Sequence, residues 1–150
     1  MTEVKTPWNP SKKATARVKN PLPAPTECRY CTGEVSAVKN SAIYGREYGE
    51  WPWLYLCTGC RAYVGMHPFT NIPLGTLANQ MTRDARKEHK PTFERLFESN
   101  LMTRNEAYTA LASKLGIEKE ECHFGWFDAP MCEAAAQASR EIYLDQMSKR

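Results

Sequence analysis

The pattern of apolar and polar residues divides the chain into a strand-rich part and a helical part. Residues 28–66 contain "EVSAV" and "WPWLYLC", two short runs typical of β-strands. In the second run the aromatic residues alternate with the leucines, so the two sets are expected on opposite faces of the strand. Gly45 and Gly49, between the runs, indicate a hairpin turn, and Pro52 favours a position at the edge of the sheet.

Apolar residues at helical spacing begin at position 74 and continue towards the C-terminus. The first stripe consists of Leu74, Leu77, Ala78, Met81 and Ala85. Pro91 is predicted to end or kink this helix, and "PTFERLFES" to start another. Thr103 and Glu106 form a capping-box pattern at the start of the next helix, which Gly116 is expected to end. Asp128 is the predicted cap of a last helix.

The first 26 residues differ from the rest in composition. They hold five of the ten prolines and few apolar residues, which predicts a flexible, extended arm. The arm has a net charge of +4, whereas the remaining residues sum to −1. It is expected to be either a solvated linker or a basic arm in which Lys12, Lys13 and Arg17 contact phosphate or a partner protein.

Composition places the chain among ordinary globular proteins. Of its 150 residues, 42% are hydrophobic and 25% are charged. No apolar run approaches the ~18 residues of a membrane span, and the N-terminal residues lack the apolar core of a secretory signal. We therefore expect a cytoplasmic protein without a membrane segment, whose cysteines are metal ligands or free thiols.

Four of the six cysteines occur in a spacing typical of zinc ribbons. "CRYC" and "CTGC" are separated by 25 residues, enough for a hairpin that brings the two pairs together. Four thiolates in a tetrahedral arrangement suit Zn²⁺. Gly33 and Gly59 are expected to give the two turns their backbone freedom. The predicted ligands of one structural zinc ion are Cys28, Cys31, Cys57 and Cys60.

A complete shell of four thiolates leaves no open position for a substrate, so the ion is expected to be structural rather than catalytic. His67 is then not a ligand. Together with Pro68 it is expected to shape a loop, with the imidazole hydrogen-bonded to nearby backbone. We predict that the protein is not an enzyme. The alternative is an enzyme that uses the His67 loop, with Thr70 and Asn71 as further candidates.

Several stretches resemble one known family. The two Cys-x2-Cys motifs, followed by "AYVGMHP", "PLGTLA" and "ECHFGWFD", are similar to a small family of zinc-finger-containing proteins found largely in bacteriophages and prophages. The resemblance covers about residues 27–135. It implies the four-cysteine site and a viral or prophage origin, and it implies no activity.

The expected fold class is α+β. A flexible arm over residues 1–26 is followed by a β zinc ribbon over residues 27–72. A helical module over residues 73–150 is expected to pack on the ribbon as one unit.

Three other features allow both a functional and a structural interpretation. Cys122, His123 and Cys132 lack a clear fourth ligand, so buried free thiols are favoured over a second metal site. The aromatic residues of "WPWLY" are expected to pack the ribbon rather than to stack on unpaired bases. A helix-turn-helix that begins at Thr103 is disfavoured, because its second segment carries three glutamates that would face phosphates.

A basic stripe is the second candidate contact with nucleic acid. Its residues recur at helical spacing and share one helix face: Arg83, Arg86, Lys87 and Lys90. Asp84 and Glu88 lie beside this face and partly offset its charge. A solvated surface with local ion pairs is therefore the alternative.

The predicted function is binding without chemistry. We expect a phage-type accessory protein that contacts nucleic acid or a host nucleic-acid-processing machine. The alternative within the binding class is a protein–protein modulator, such as an inhibitor of a host enzyme or defence complex. Neither the target nor the oligomeric state follows from the sequence.

Overall fold

The computed structural model describes residues 4–149 and divides into two compact units. The first, here called the ribbon unit, ends at Asn79, and the second, the helical unit, begins at Gln80. The ribbon unit holds a three-stranded antiparallel sheet and four clustered cysteines, and the helical unit is built from longer helices. The predicted α+β fold, a zinc ribbon followed by helices, is confirmed.

The elements of the described residues follow in a simple order. They are α1 (Lys12–Arg17), β1 (Val35–Lys39), α2 (Ser41–Tyr44), β2 (Trp53–Cys57), β3 (Tyr63–Gly65), α3 (Gln80–Glu98), α4 (Arg104–Leu115) and α5 (Ala129–Ser148). Two short 3₁₀ turns, Lys119–Glu121 and Phe124–Trp126, lie between α4 and α5. Within residues 4–149, no helix is both long and apolar enough to cross a membrane.

Strand β2 is the centre of the sheet. It pairs with β1 on one side, where Ala37 lies opposite Tyr55, and with β3 on the other, where Val64 lies opposite Tyr55. The edge position predicted from Pro52 is therefore wrong. Pro52 directly precedes the strand, so its missing N–H interrupts no ladder. Its carbonyl accepts a hydrogen bond from the Asn40 N–H at 2.8 Å.

The chain after β3 folds back onto the ribbon unit instead of starting a helix. Ala78 exchanges two backbone hydrogen bonds with Tyr63, at 3.0 and 3.1 Å, and thereby forms an isolated β-bridge. The helix predicted from Leu74 is therefore wrong, because α3 begins only at Gln80. Leu74 and Met81 expose 51% and 72% of their surface, whereas Leu77 is buried in the ribbon core.

The segment predicted to be a flexible arm contacts the rest of the ribbon unit. The Ser11 N–H donates to the Phe69 carbonyl at 2.8 Å, and its hydroxyl caps α1. The Asn71 side chain donates to the carbonyl of Pro7, which is buried. The Trp8 ring meets another ring of the unit, 5.3 Å away, edge to face. Backbone and aromatic contacts thus give residues 6–17 local structure that their composition does not indicate.

The helical unit has one apolar core formed by α3, α4, α5 and the turns between the last two. Pro91 lies inside α3, so the predicted end of the helix at this residue is wrong. A proline inside a helix removes one hydrogen bond and costs roughly 3 kcal/mol or more. Ala85 before Pro91, and Phe93 and Leu96 after it, are all buried, and this shared apolar face keeps the helix continuous.

The capping residues predicted for the last two helices are confirmed. Thr103 and Glu106 form the reciprocal capping box of α4, and Gly116 ends that helix with a left-handed φ of 70°. Asp128 caps α5 by accepting from the Met131 N–H at 3.0 Å. The residues after Gly116 form 3₁₀ turns rather than a recognition helix, so the helix-turn-helix alternative is wrong.

Candidate metal centre

The first cysteine turn, residues 28–33, is closed by its own backbone. The Cys28 N–H donates to the Gly33 carbonyl at 2.8 Å, and the Thr32 N–H donates to the Cys28 carbonyl at 2.9 Å. Thr32 has a φ of 61°, in the left-handed region that a β-branched residue rarely adopts. The turn thereby places Cys28 and Cys31 side by side.

The second cysteine turn, residues 57–62, repeats this arrangement at the end of β2. The Cys57 N–H donates to the Ala62 carbonyl at 2.8 Å, and the Arg61 N–H donates to the Cys57 carbonyl at 3.0 Å. Arg61 has a φ of 66°, the counterpart of the left-handed residue in the first turn. The two turns are therefore equivalent in hydrogen bonding as well as in cysteine spacing.

Gly33 and Gly59 have a role different from the predicted one. Neither has a positive φ, so the left-handed positions fall on other residues. A β-carbon on Gly33 would lie 3.2 Å from the sulfurs of both Cys31 and Cys57, and one on Gly59 would lie 3.3 Å from the sulfur of Cys31. These glycines leave room for the sulfur atoms, and the prediction that they supply backbone freedom is wrong.

The four sulfurs converge on one point. Cys28 Sγ lies 3.6 Å from Cys60 Sγ, and Cys31 Sγ lies 3.4 Å from Cys57 Sγ. All four lie within 4.8 Å of one another. A regular tetrahedron with zinc–sulfur bonds of about 2.3 Å has sulfurs about 3.8 Å apart. The donor set and its spacing therefore fit one zinc ion.

A comparison with known families agrees with this geometry. The model of a zinc-finger-containing domain matches residues 24–142, which is most of the chain. The chain belongs to this zinc-finger family. No curated protein and no solved structure was found to match it. The predicted zinc-finger family and the predicted structural zinc are confirmed.

Backbone N–H groups of this zinc finger point at the sulfurs. Tyr30 N–H donates to Cys28 Sγ at 3.4 Å, and Cys60 N–H donates to Cys57 Sγ at 3.5 Å. The second contact, aided by other donors, lowers the pKa of Cys57 to about 6. The Gly33 N–H lowers the pKa of Cys31, but the sulfur of Cys57, burial and the other two sulfurs together raise it to about 12. The site thus favours one thiolate strongly, and the charge of a zinc ion stabilises all four.

The sulfurs differ in exposure according to their place in each turn. The first cysteine of each pair is buried, with 1% of Cys28 and 0% of Cys57 exposed. The second of each pair, Cys31 or Cys60, is exposed. One edge of the metal site therefore faces solvent, and the other lies against the ribbon core.

His67 lies outside the cysteine cluster, as predicted. Its N–H donates to the Ile72 carbonyl, and its carbonyl accepts from the Thr70 N–H and hydroxyl at 3.1 and 2.8 Å. Partial burial lowers the pKa of its imidazole. The residue shapes the loop through its backbone, whereas the prediction had assigned hydrogen bonds to its imidazole.

The aromatic residues of β2 and its approach hold this loop. The Trp51 indole N–H donates to the Thr70 carbonyl at 2.9 Å, and the Tyr55 hydroxyl donates to the Asn71 carbonyl. Tyr55 is buried, and Trp51 and Trp53 pack against the same core. They serve packing, in agreement with the interpretation that the sequence favoured.

The remaining two cysteines are separate from the metal centre. Cys122 and Cys132 are buried in the core of the helical unit, and burial raises the pKa of each thiol to about 11. Among residues 4–149, the four-cysteine cluster is the one group suited to hold a metal ion. The expected buried thiols are thus observed, and the His123 ring instead packs against the Trp126 ring, with the centroids 4.6 Å apart and the planes tilted by 52°.

The two arginines of the basic stripe on α3 are hydrogen-bonded, whereas its two lysines are exposed. Arg86 Nε donates to the Phe127 carbonyl at 2.9 Å, and Arg83 donates to the Gln80 side chain. Lys87 and Lys90 are exposed. Arg86 links α3 to the segment before α5, a structural role that charge spacing alone does not reveal.

We expect Cys28→Ser to abolish zinc binding and to unfold the ribbon unit. Structural zinc contributes roughly 10–16 kcal/mol, comparable to the stability of a whole domain. Metal analysis together with the unfolding transition monitored by tryptophan fluorescence measures both effects. Cys122→Ala is the matched control, since it removes a buried thiol outside the cluster and should keep one zinc per chain. A Cys28→Ser protein that retains zinc and fold would contradict the site.

Gly33→Ala should weaken zinc binding by about tenfold, because its β-carbon would press on two sulfurs and overpacking costs roughly 1–3 kcal/mol. Competition with a coloured chelator measures the affinity. Thr32→Gly, one residue earlier, should leave it equal or higher, since glycine adopts a positive φ without strain. A lower zinc affinity for Thr32→Gly than for Gly33→Ala would contradict the view that Gly33 is needed for the space it leaves to the sulfurs.

The buried thiols predict a stability that declines in alkali. A folded pKa of about 11 exceeds the ordinary 9.0, so folding favours the neutral thiols. Their contribution is complete below pH ~9 and is lost as the pH rises towards ~11. Urea unfolding of wild type and of a Cys122→Ala/Cys132→Ala variant should show a shallower decline in the variant. Equal slopes would mean that both thiols ionise freely in the folded protein.

Proposed function

We propose that this zinc finger binds nucleic acid through the ribbon unit, without catalysis, as a phage-type accessory protein in the bacterial cytoplasm. That compartment is reducing, so it keeps both the thiolate ligands and the other cysteines from forming disulfides. The phage origin rests on the resemblance of "AYVGMHP" and "ECHFGWFD" to phage and prophage proteins.

The observation that carries the proposal is the charge of the ribbon unit. Up to Asn79 the chain has nine Lys and Arg against five Glu, a net charge of +4, whereas the helical unit has a net charge of −1. All nine cationic residues are exposed. Within the described part of the unit, only Lys39 is in an ion pair, with Glu47. Such a surplus attracts a polyanion and releases its counterions on binding.

Three of these cations are held in place by the ribbon unit. Lys12, Lys13 and Arg17 lie on α1, and all three are exposed. Contacts of Pro7 and Ser11 with the loop after His67 fix the approach to this helix. The basic arm is therefore ordered before it binds. Phosphate contact by these residues loses less conformational entropy than contact by a flexible linker would.

The α3 stripe contributes less than its sequence suggests. Arg83 and Arg86 already have partners inside the helical unit. Within the stripe we therefore assign only Lys87 and Lys90 to phosphate contact, in addition to the cations of the ribbon unit. A non-enzymatic role is supported by the zinc shell, which four thiolates fill completely.

A protein–protein modulator is the second candidate, and one feature of the helical unit favours it. A cavity of about 160 Å³ is lined by residues of α3 and α5, among them Tyr143 and Leu144. Leu144 is 66% exposed and Met147, one turn on, is 44% exposed. Exposed apolar residues beside a cavity suit a host protein as partner.

The test is binding of labelled single-stranded and duplex oligonucleotides, measured by fluorescence anisotropy at several salt concentrations. Affinity should fall steeply from ~50 to ~200 mM salt. Reversing Lys12, Lys13 and Arg17 to Glu should lower affinity and flatten the salt dependence, since each lost phosphate contact removes roughly 0.7–0.9 from the slope.

Three charge reversals in the helical unit provide the matched control. Lys119→Glu, Arg140→Glu and Lys149→Glu change the net charge equally and should leave most of the affinity. If both triple variants lose affinity equally, net charge rather than the ribbon surface determines binding. No binding by wild type at ~50 mM salt, where counterion release is most favourable, would reject the nucleic-acid function. The modulator would then be the leading candidate.

A further inference from the structure

The connection between β1 and β2 presents aromatic rings to solvent. It spans residues 40–52, and residues 44–50 are all exposed. Tyr44 and Tyr48 expose 50% and 46% of their surface. We call residues 44–48, which contain both rings and Arg46, the tyrosine loop. Exposed apolar side chains that cluster on a surface, rather than occurring singly, indicate an interaction site.

The tyrosine loop is fixed by hydrogen bonds at its base. The Asn40 side chain donates to the Tyr48 carbonyl at 3.0 Å and accepts from the Tyr48 N–H at 3.1 Å. Gly45, with a φ of 83°, ends α2 and donates its N–H to the Ser41 carbonyl. The Arg61 guanidinium, from the second cysteine turn, donates to the Ala42 carbonyl at 2.8 Å. The rings therefore stand on an ordered support, which lowers the entropy cost of binding.

The tyrosine rings contact one another edge to face. The Tyr44 and Tyr48 centroids are 5.5 Å apart with nearly perpendicular planes, and Tyr44 meets Tyr63 in the same way at 6.4 Å. This arrangement orients the rings without burying them. Each of the two loop tyrosines exposes about half of its surface. Every nucleic-acid base has a flat face that can stack on an exposed aromatic ring.

Positive charge accompanies the rings. The Arg46 guanidinium lies 4.4 Å from the centroid of the Tyr48 ring. Glu47 is neutralised by Lys39 at 2.6 Å, which leaves Glu50 as the other acidic side chain of the connection. Arg46 and Arg61 thus outnumber the unpaired carboxylate. Stacking rings with adjacent cations are the combination that single-stranded nucleic acid requires.

We propose that the tyrosine loop binds single-stranded nucleic acid, with unpaired bases stacked on Tyr44 and Tyr48 and the backbone phosphate beside Arg46. This inference rests on the proposed nucleic-acid function and adds a strand preference to it. In a duplex the base faces are covered by neighbouring bases, so they cannot stack on the tyrosine rings. Cations elsewhere on the ribbon unit bind both forms through phosphate.

The experiment compares full-length, zinc-loaded wild type with a Tyr44→Ala/Tyr48→Ala variant. The probes are labelled oligo(dT) and oligo(U) of about 15 nucleotides, within the usual site sizes for single strands, and a duplex of similar length. Removing both rings should lower the affinity for the single strands by about tenfold or more, whereas duplex affinity should change by less than about twofold. The two single strands show whether DNA or RNA is preferred.

Two control variants sharpen the comparison. Tyr44→Phe/Tyr48→Phe keeps the rings and should restore single-strand affinity. Leu144→Ala removes an exposed apolar side chain of the helical unit and should have no effect. Zinc content and the unfolding midpoint confirm that each variant is folded.

The outcomes separate the two proposals. A wild type that binds single strands and duplex, with the alanine variant unchanged, overturns the tyrosine loop and leaves the nucleic-acid function standing. Equal losses for single strands and duplex also overturn it, since stacking is then not the cause. A wild type that binds neither form rejects both proposals, and the exposed rings are then a surface for a protein partner.

Discussion

The ribbon unit depends on the attraction of four thiolates for one zinc ion. Its buried apolar core is small, and two of the eight side chains in it belong to the ligands Cys28 and Cys57. The two turns also hold non-glycine residues, Thr32 and Arg61, at positive φ, a strain of roughly 1–3 kcal/mol each. The metal offsets that strain and replaces the apolar area that a short sheet cannot bury.

The rest of the unit is arranged around strand β2, which enters the metal site at Cys57. Tyr55, two residues earlier, reaches the loop after His67 with its hydroxyl, and that loop in turn accepts a hydrogen bond from Ser11 ahead of α1. Arg61 of the second turn supports the connection between β1 and β2. Order at the metal is therefore transmitted to surfaces that carry no ligand.

The sequence predicts best those features that are set by local chemistry. The cysteine spacing specified the metal and its ligands, and Thr103, Glu106 and Asp128 specified helix starts, because caps bind the nearest backbone groups. Features decided by tertiary contact were missed. Ala78 pairs with a strand although its neighbours have helical spacing, and Pro91 is carried through a helix by the buried Phe93 and Leu96. Thr32 and Arg61 each follow the first cysteine of their pair by four residues, and this equal spacing could have indicated that the two turns are equivalent. Because neither residue is a type that favours a positive φ, the sequence did not indicate their backbone conformation.

The unequal exposure of the ligands has a kinetic consequence. A thiol or chelator that approaches from solvent meets Cys31 and Cys60, whereas Cys28 and Cys57 are shielded by the ribbon core. Ligand exchange at zinc proceeds through an incoming donor, so we expect the metal to leave by stepwise replacement of the two outer sulfurs. The inner pair, one from each turn, would hold the ion in a half-detached intermediate. The rate of zinc release would then depend mainly on the two exposed cysteines, whereas the affinity depends on all four. Tight zinc binding and transfer of the zinc to a competing thiol are therefore compatible in this site.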